Sequence, residues 1–143
     1  MYIDVEYIKE RVKKSDLIAI TSDKNDAKEI QVDRINAAIV DASAELDNAL
    51  VRAGYQIPVV DVIPFLKRIV FDIALYYIYA TKYDDQEMKD VYVRYNKAFQ
   101  KVNRIAEGEL ILDIPKNGIN RAVCIVTNKT IDDTIFTKRA LRC

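Results

Sequence analysis

Histidine is absent from this sequence, and with it the side chain most often used as a general base and as a metal ligand. Tryptophan is absent too. Three glycines and three prolines among 143 residues serve only as punctuation. That excludes collagen-like and low-complexity repeats, and no internal period emerges. Cysteine occurs only at Cys124 and Cys143, too sparsely for a secreted disulfide scaffold. Two free thiols in a reducing compartment are the expectation. Charge of one sign is missing as well, because 22 basic residues balance 22 acidic ones. A nucleic-acid protein working through bulk charge is thereby disfavoured, although a local patch remains open. No signal peptide is expected, since Met1 leads at once into the polar pattern YIDVEYIKE. The sequence also lacks a glycine-rich phosphate loop, a GxSxG elbow, a CxxC pair and an HExxH helix.

What is present is an ordinary globular composition, 50% hydrophobic and 31% charged. The length suits one domain able to bury roughly two-thirds of its unfolded surface. Its centre of gravity is PFLKRIVFDIALYYIYA, from Pro64 to Ala80. Proline suits the first turn of a helix, where a missing N–H costs nothing. Leu66, Ile69, Val70, Ile73, Ala74 and Tyr77 fall at helical spacing. Phe71, Leu75, Tyr76 and Ile78 carry the apolar surface round to the other sides. A membrane span needs about 20 apolar residues, and Asp72 interrupts this run. The stretch therefore reads as a core helix surrounded by neighbours.

Before it, Asp4 can cap a helix over about 4–14 in which Val5, Ile8 and Val12 share a face. Ser15 reads as a fresh N-cap for a short turn carrying Leu17, Ile18 and Ile20. The polar loop TSDKNDAKE follows. Counted from Asp23 it fails as a calcium loop, with Ala27, Lys28 and Arg34 where an oxygen ligand, a glycine and a glutamate are needed. A second long helix spans Val32 to Ala53. Its apolar face includes Ala38, Ala42, Ala49 and Ala53, small enough to admit the Pro64 helix closely, and Gly54 is a natural terminator. Between the two helices, GYQIPVVDVI reads as an extended linker that Tyr55, Ile57 and Val59 can pin to the core. The last long helix begins at DDQEM, where Asp84 and Glu87 have capping-box spacing. It carries an apolar stripe from Met88 to Ala106 and ends at Gly108. Lys89, Arg94, Lys97, Lys101 and Arg104 read as solvated decoration on its outer side.

After Gly108 the pattern changes. Leu110, Leu112 and Ile114 alternate with more exposed positions, Pro115-Lys116-Asn117-Gly118 reads as a turn, and 122–127 has strand composition, so a small β-hairpin is the expectation. The remainder has apolar anchors without a regular face. The expected fold class is all-α, a compact helical bundle over 1–108 with three long helices and a short N-terminal one, followed by an extended C-terminal arm over 109–143. The candidate interaction residues are the arm's anchors Leu110, Leu112, Ile114, Ile131, Ile135, Phe136 and Leu141. Such arms wrap their own domain or order on a neighbour; ordering on assembly is the expectation here.

Paired acids at Asp84–Asp85 and Asp132–Asp133 do not converge on one site and read as caps and turns. Asp72 is the acid expected to be partly buried, paired with Arg68 one helical turn earlier. The tyrosines at 76, 77, 79, 92 and 95 read as core with hydroxyls at the rim. The sequence nominates no catalytic, metal-ligating or cofactor-binding residue, and an enzyme is not expected.

The blocks AxxDASAELDxxL (Ala38–Leu50), Tyr55-Gln56-Ile57-Pro58-Val59, Pro64-Phe65-Leu66-Lys67-Arg68-Ile69 and Asp72-Ile73-Ala74 together resemble a phage Mu-like family found among tailed-phage and prophage head genes. The match covers about residues 1–112, and the closing FTKRALRC is similar to that family's C-terminal signature. Where many relatives carry a DxDGDG-like loop, this chain has DKNDAKE, which removes any cation role from that loop. The family is similar to helical head–tail connector or adaptor proteins. That resemblance implies a virion protein of the neck, present in the host cytoplasm during assembly. It also implies a ring of copies, usually a dodecamer, meeting the portal and a tail-completion or stopper protein. DNA would pass through the ring without sequence-specific binding, and no membrane is involved. The alternative is a small helical DNA-binding regulator, which would need a short helix with a basic, amide-rich face.

Overall fold

The computed structural model describes residues 1–22 and 28–117. Among the described residues five helices follow one another: α1 (Val5–Lys9), α2 (Lys14–Thr21), α3 (Val32–Arg52), α4 (Pro64–Ala80) and α5 (Lys89–Ala106). The three long helices pack on one another, while α1 lies against α3 and α2 against α4. Contacts between Phe65 and Lys101, Asp72 and Arg94, and Tyr76 and Tyr92 run in opposite senses along α4 and α5, so these two are antiparallel.

Helix α4 is the centre, as its composition predicts. Leu66, Ile69, Val70, Phe71, Asp72, Ile73, Ala74, Leu75 and Ile78 are all buried, which covers every side of the helix. Ala38, Ala42 and Ala49 on α3 are buried beside Ile35, Ile39, Leu46 and Leu50. Burying one such leucine or isoleucine contributes roughly 1.5–3 kcal/mol, so this interface dominates stability.

The amino-terminal part departs from expectation. Instead of one helix to residue 14 and a turn, α1 ends at Lys9 and α2 is a second short helix. Asp4 does cap α1, its carboxylate accepting from the Tyr7 N–H at 2.8 Å. Nine residues separate Ile8 from Leu17, about 180° round a straight helix, so one helix could not bury both. Both are fully buried, and the chain turns between them. Ser15 does not cap α2; it lies inside the first turn and bonds Asp16, while Lys13 stands at the N-cap without a side-chain bond. Helix α2 is finished from a distance. Lys82 donates to the carbonyls of Ala19 (2.8 Å) and Ser22 (3.2 Å), and a cation suits a helix C-terminus. Thr21, fully buried, donates to Leu17 O and accepts from the Gln31 N–H, tying α2 to the start of α3.

Two glycines stop the long helices. Gly54 has φ +79° and Gly108 has φ +77°. After α3, Gly54 N–H reaches Val51 O and Tyr55 N–H reaches Leu50 O; after α5, Gly108 bonds Ile105 and Glu109 bonds Arg104. Both ends are Schellman closures that satisfy carbonyls otherwise left open. The capping box also forms, with Asp84 accepting from Glu87 N–H at 3.0 Å and Glu87 accepting from Asp84 N–H at 3.3 Å. It closes a separate turn, however, and α5 begins only at Lys89.

No strand forms over 110–114, and residues 122–127 of the expected hairpin lie outside the described residues, as do Cys124 and Cys143. The arm root instead pairs with the α3–α4 linker. Tyr55 and Lys116 form an antiparallel bridge, Gln56 N–H bonds Pro115 O, and Asn117 N–H bonds Gly54 O. Packing thus continues past Gly108 as far as Asn117. None of the helices among the described residues is long and apolar enough to cross a membrane.

Candidate interaction surfaces

Tyr55 organises the first surface. It is 1% exposed, and its hydroxyl accepts the Leu112 N–H at 2.8 Å. Its ring faces the Lys116 ammonium at 4.8 Å, and its carbonyl takes a longer bond from the Asn117 side chain. Leu112 is buried, Leu110 and Ile114 are half-buried against the same core, and Ile111 is 79% exposed. The alternation read from the sequence is therefore real without a strand partner of its own. It turns Leu110, Leu112 and Ile114 inward, onto this chain's own domain. Ile131, Ile135, Phe136 and Leu141 lie outside the described residues. In the linker, Val59 is half-buried, while Ile57, joined to Pro58 by a cis peptide bond, is 39% exposed.

The second surface joins α1, α4 and α5. Asp72 is held from both sides: Arg68 Nε donates to Oδ2 at 3.1 Å, and Arg94 donates to Oδ1 through Nε at 3.0 Å and through Nη2. The same two guanidinium groups lie over the Phe71 ring at 5.7 and 5.5 Å, and Tyr7 meets that ring edge-on. Arg68 was expected; Arg94 was read as solvated decoration. The available signal was its position one turn before Ala98, on the flank of the buried stripe. A carboxylate gripped by two arginines is fixed and neutralised, which suits an anchor between helices.

The third surface is a run of aromatic rings along the α4–α5 seam. Tyr76 stacks on Tyr95 at 4.0 Å between centroids, Tyr95 stacks on Phe99 at 5.7 Å, and Tyr92 and Tyr77 flank them at 6.0–6.2 Å. All five rings are only half-buried, so one edge of the ladder meets solvent. Acids border it. The Tyr76 hydroxyl donates to Asp85 at 3.2 Å. Burial raises the Tyr77 pKa to about 12, with Glu45 and Asp41 adding to the shift. Burial and then Glu45 raise Tyr95 in the same sense, and burial and then Asp85 raise Tyr76. Asp41, Glu45 and Asp85 are exposed. Helical spacing identifies these tyrosines from sequence; their stacking and acid border it does not.

Among the described residues, no group of three or more acids or cysteines could hold a metal ion, and every buried side-chain nitrogen or oxygen has a hydrogen-bond partner. Among the described residues, three long helices packed on one another and a locked C-terminal turn define a helical bundle whose distinctive chemistry lies on its surfaces. The chain belongs to the family described as Bacteriophage Mu, Gp36, which matches residues 2–122. That makes it a bacteriophage protein of the structural or assembly kind. No curated protein matches the chain.

Proposed function

We propose that this chain is a head–tail connector, an adaptor that forms a ring between the portal and the tail. The observation that carries the reading is the locked exit of the C-terminal segment. Tyr55 and Gly54 fix residues 112–117 to the bundle, so the chain continues beyond Asn117 from a defined point. A rigid body with an emerging arm is what a ring subunit needs to reach its neighbour or the portal, since heterologous contacts require two different complementary surfaces. Membership of the phage family supports the same reading. Its partners are then further copies of itself, the portal and a tail-completion protein, with DNA passing through the ring without base-specific contact. Catalysis plays no part in this role.

The reading as a DNA-binding regulator loses two of the five basic residues of α5. Arg94 is spent on Asp72 and Phe71, and Lys101 lies over Phe65 at 5.5 Å, so both turn toward α4. The test is a phage or prophage lacking this chain. DNA-filled heads and free tails should accumulate separately, and adding the purified protein should restore joining. Normal joining without the chain would overturn the proposal. So would joined particles that fail at transcription of late genes.

A further inference from the structure

The acid-bordered tyrosine ladder has a complement elsewhere in the same sequence. Phe136-Thr137-Lys138-Arg139-Ala140-Leu141-Arg142 offers two large apolar side chains, Phe136 and Leu141, and three positive charges within seven residues. We infer that the ladder formed by Tyr76, Tyr92, Tyr95 and Phe99 receives the segment 136–142 of a neighbouring copy.

Three observations carry this. First, the ladder presents stacked, half-buried rings at a seam between two helices, with Val93 of α5 48% exposed. Aromatic faces attract both apolar side chains and guanidinium groups, and arginine over a tyrosine or phenylalanine ring already occurs three times in this molecule's own packing, once at Tyr7 and twice at Phe71. Second, the border is acidic at Asp41, Glu45 and Asp85, opposite in sign to Lys138, Arg139 and Arg142, although Lys89 also lies near Asp85. Charge complementarity of this kind selects a partner and its orientation. Third, the geometry of delivery allows it. Asn117 is fixed at the end of the bundle where α4 starts, and Tyr76 lies about 18 Å further along α4 at 1.5 Å per residue. The residues between Asn117 and Phe136 span up to about 60 Å when extended. The segment can therefore reach past its own bundle to the next copy. This inference rests on the ring reading, which asks each copy for two unlike surfaces that fit each other.

The test mixes equal amounts of full-length chain with natural and with heavy isotope content, at the highest soluble concentration. Carbodiimide then joins neighbouring amines and carboxylates. Peptides linking Lys138 to Asp41, Glu45 or Asp85 should carry one label of each kind. Phe136→Ser should reduce their yield about tenfold, as loss of one buried aromatic contact would. Links within one isotope only, links from Lys138 to carboxylates elsewhere, or no such links would each overturn the inference. Native mass spectrometry of the same mixture separates it from the ring itself. A closed ring without these links removes this contact alone, and these links without a closed ring keep the contact and count against the ring.

Discussion

Replacing Tyr55 by phenylalanine removes a single oxygen from the place where the C-terminal segment is tied down. The ring remains, so its packing and its contact with Lys116 persist, and no cavity larger than a hydroxyl opens. What changes is the Leu112 N–H, which loses its acceptor at 2.8 Å in a buried setting. A buried donor without a partner costs about 1–3 kcal/mol. With a urea slope of about 2 kcal/mol/M, the unfolding midpoint should fall by about 0.5–1.5 M while the slope stays unchanged. The Leu112 amide should also exchange with solvent faster than neighbouring core amides, because this bond is what closes it. Circular dichroism in urea and hydrogen exchange of the intact chain measure both. A stability change below about 0.5 kcal/mol, together with unaltered protection at Leu112, would refute the claim that Tyr55 fixes the arm root.

Asp72→Asn should cost about 1–3 kcal/mol in a urea titration, because both arginines lose a charged partner, but not more, since each can turn to solvent. An unchanged midpoint would mean that the pairing contributes nothing. Truncation after Gly108 should lower the unfolding free energy by at least the burial of Leu112, roughly 1.5–3 kcal/mol, whereas truncation after Asn117 should leave it near that of the full chain. Equal stability of the two truncations would contradict the packing of 109–117. Tyr2, Tyr76, Tyr77, Tyr79 and Tyr95 all hold their protons more tightly than the ordinary value of 10.0, with Tyr77 at about 12. A folded pKa above the unfolded one gives stability that is complete below about pH 10 and lost as pH rises through 10 to about 12. Absorbance titration should show tyrosine ionisation extending from pH 10 to about 12, with urea midpoints falling over that window. A single ionisation near 10 with flat midpoints would contradict it.

Much of this architecture is legible in the sequence because one periodicity dominates it. Pro64 and the all-round apolar pattern give α4 its bounds to the residue, and Ala38, Ala42 and Ala49 name its neighbour. Local signals are less faithful where two of them compete. Asp84 and Glu87 make the expected box, yet the helix waits for Lys89, because a capping box can close an isolated turn as well as open a long helix. Leu17 belongs to a second helix because its distance from Ile8 forbids a shared face, a constraint that is visible only once both are known to be buried. Surface chemistry is the least legible. Lys82 on the end of α2, Arg94 on Asp72 and Tyr55 on Leu112 each bridge residues 22 to 63 positions apart, and nothing local in the sequence marks such pairs. Leu110, Leu112 and Ile114 illustrate the cost: the alternation was readable, but the surface they pack on lay 57 residues away.

The central claim is that this phage protein is a ring-forming component of the finished particle. Quantitative mass spectrometry of purified virions, counting this chain against the major capsid protein, tests it most directly. A neck ring predicts about a dozen copies in each particle. Absence from mature particles, or a copy number scaling with the capsid shell, would contradict it.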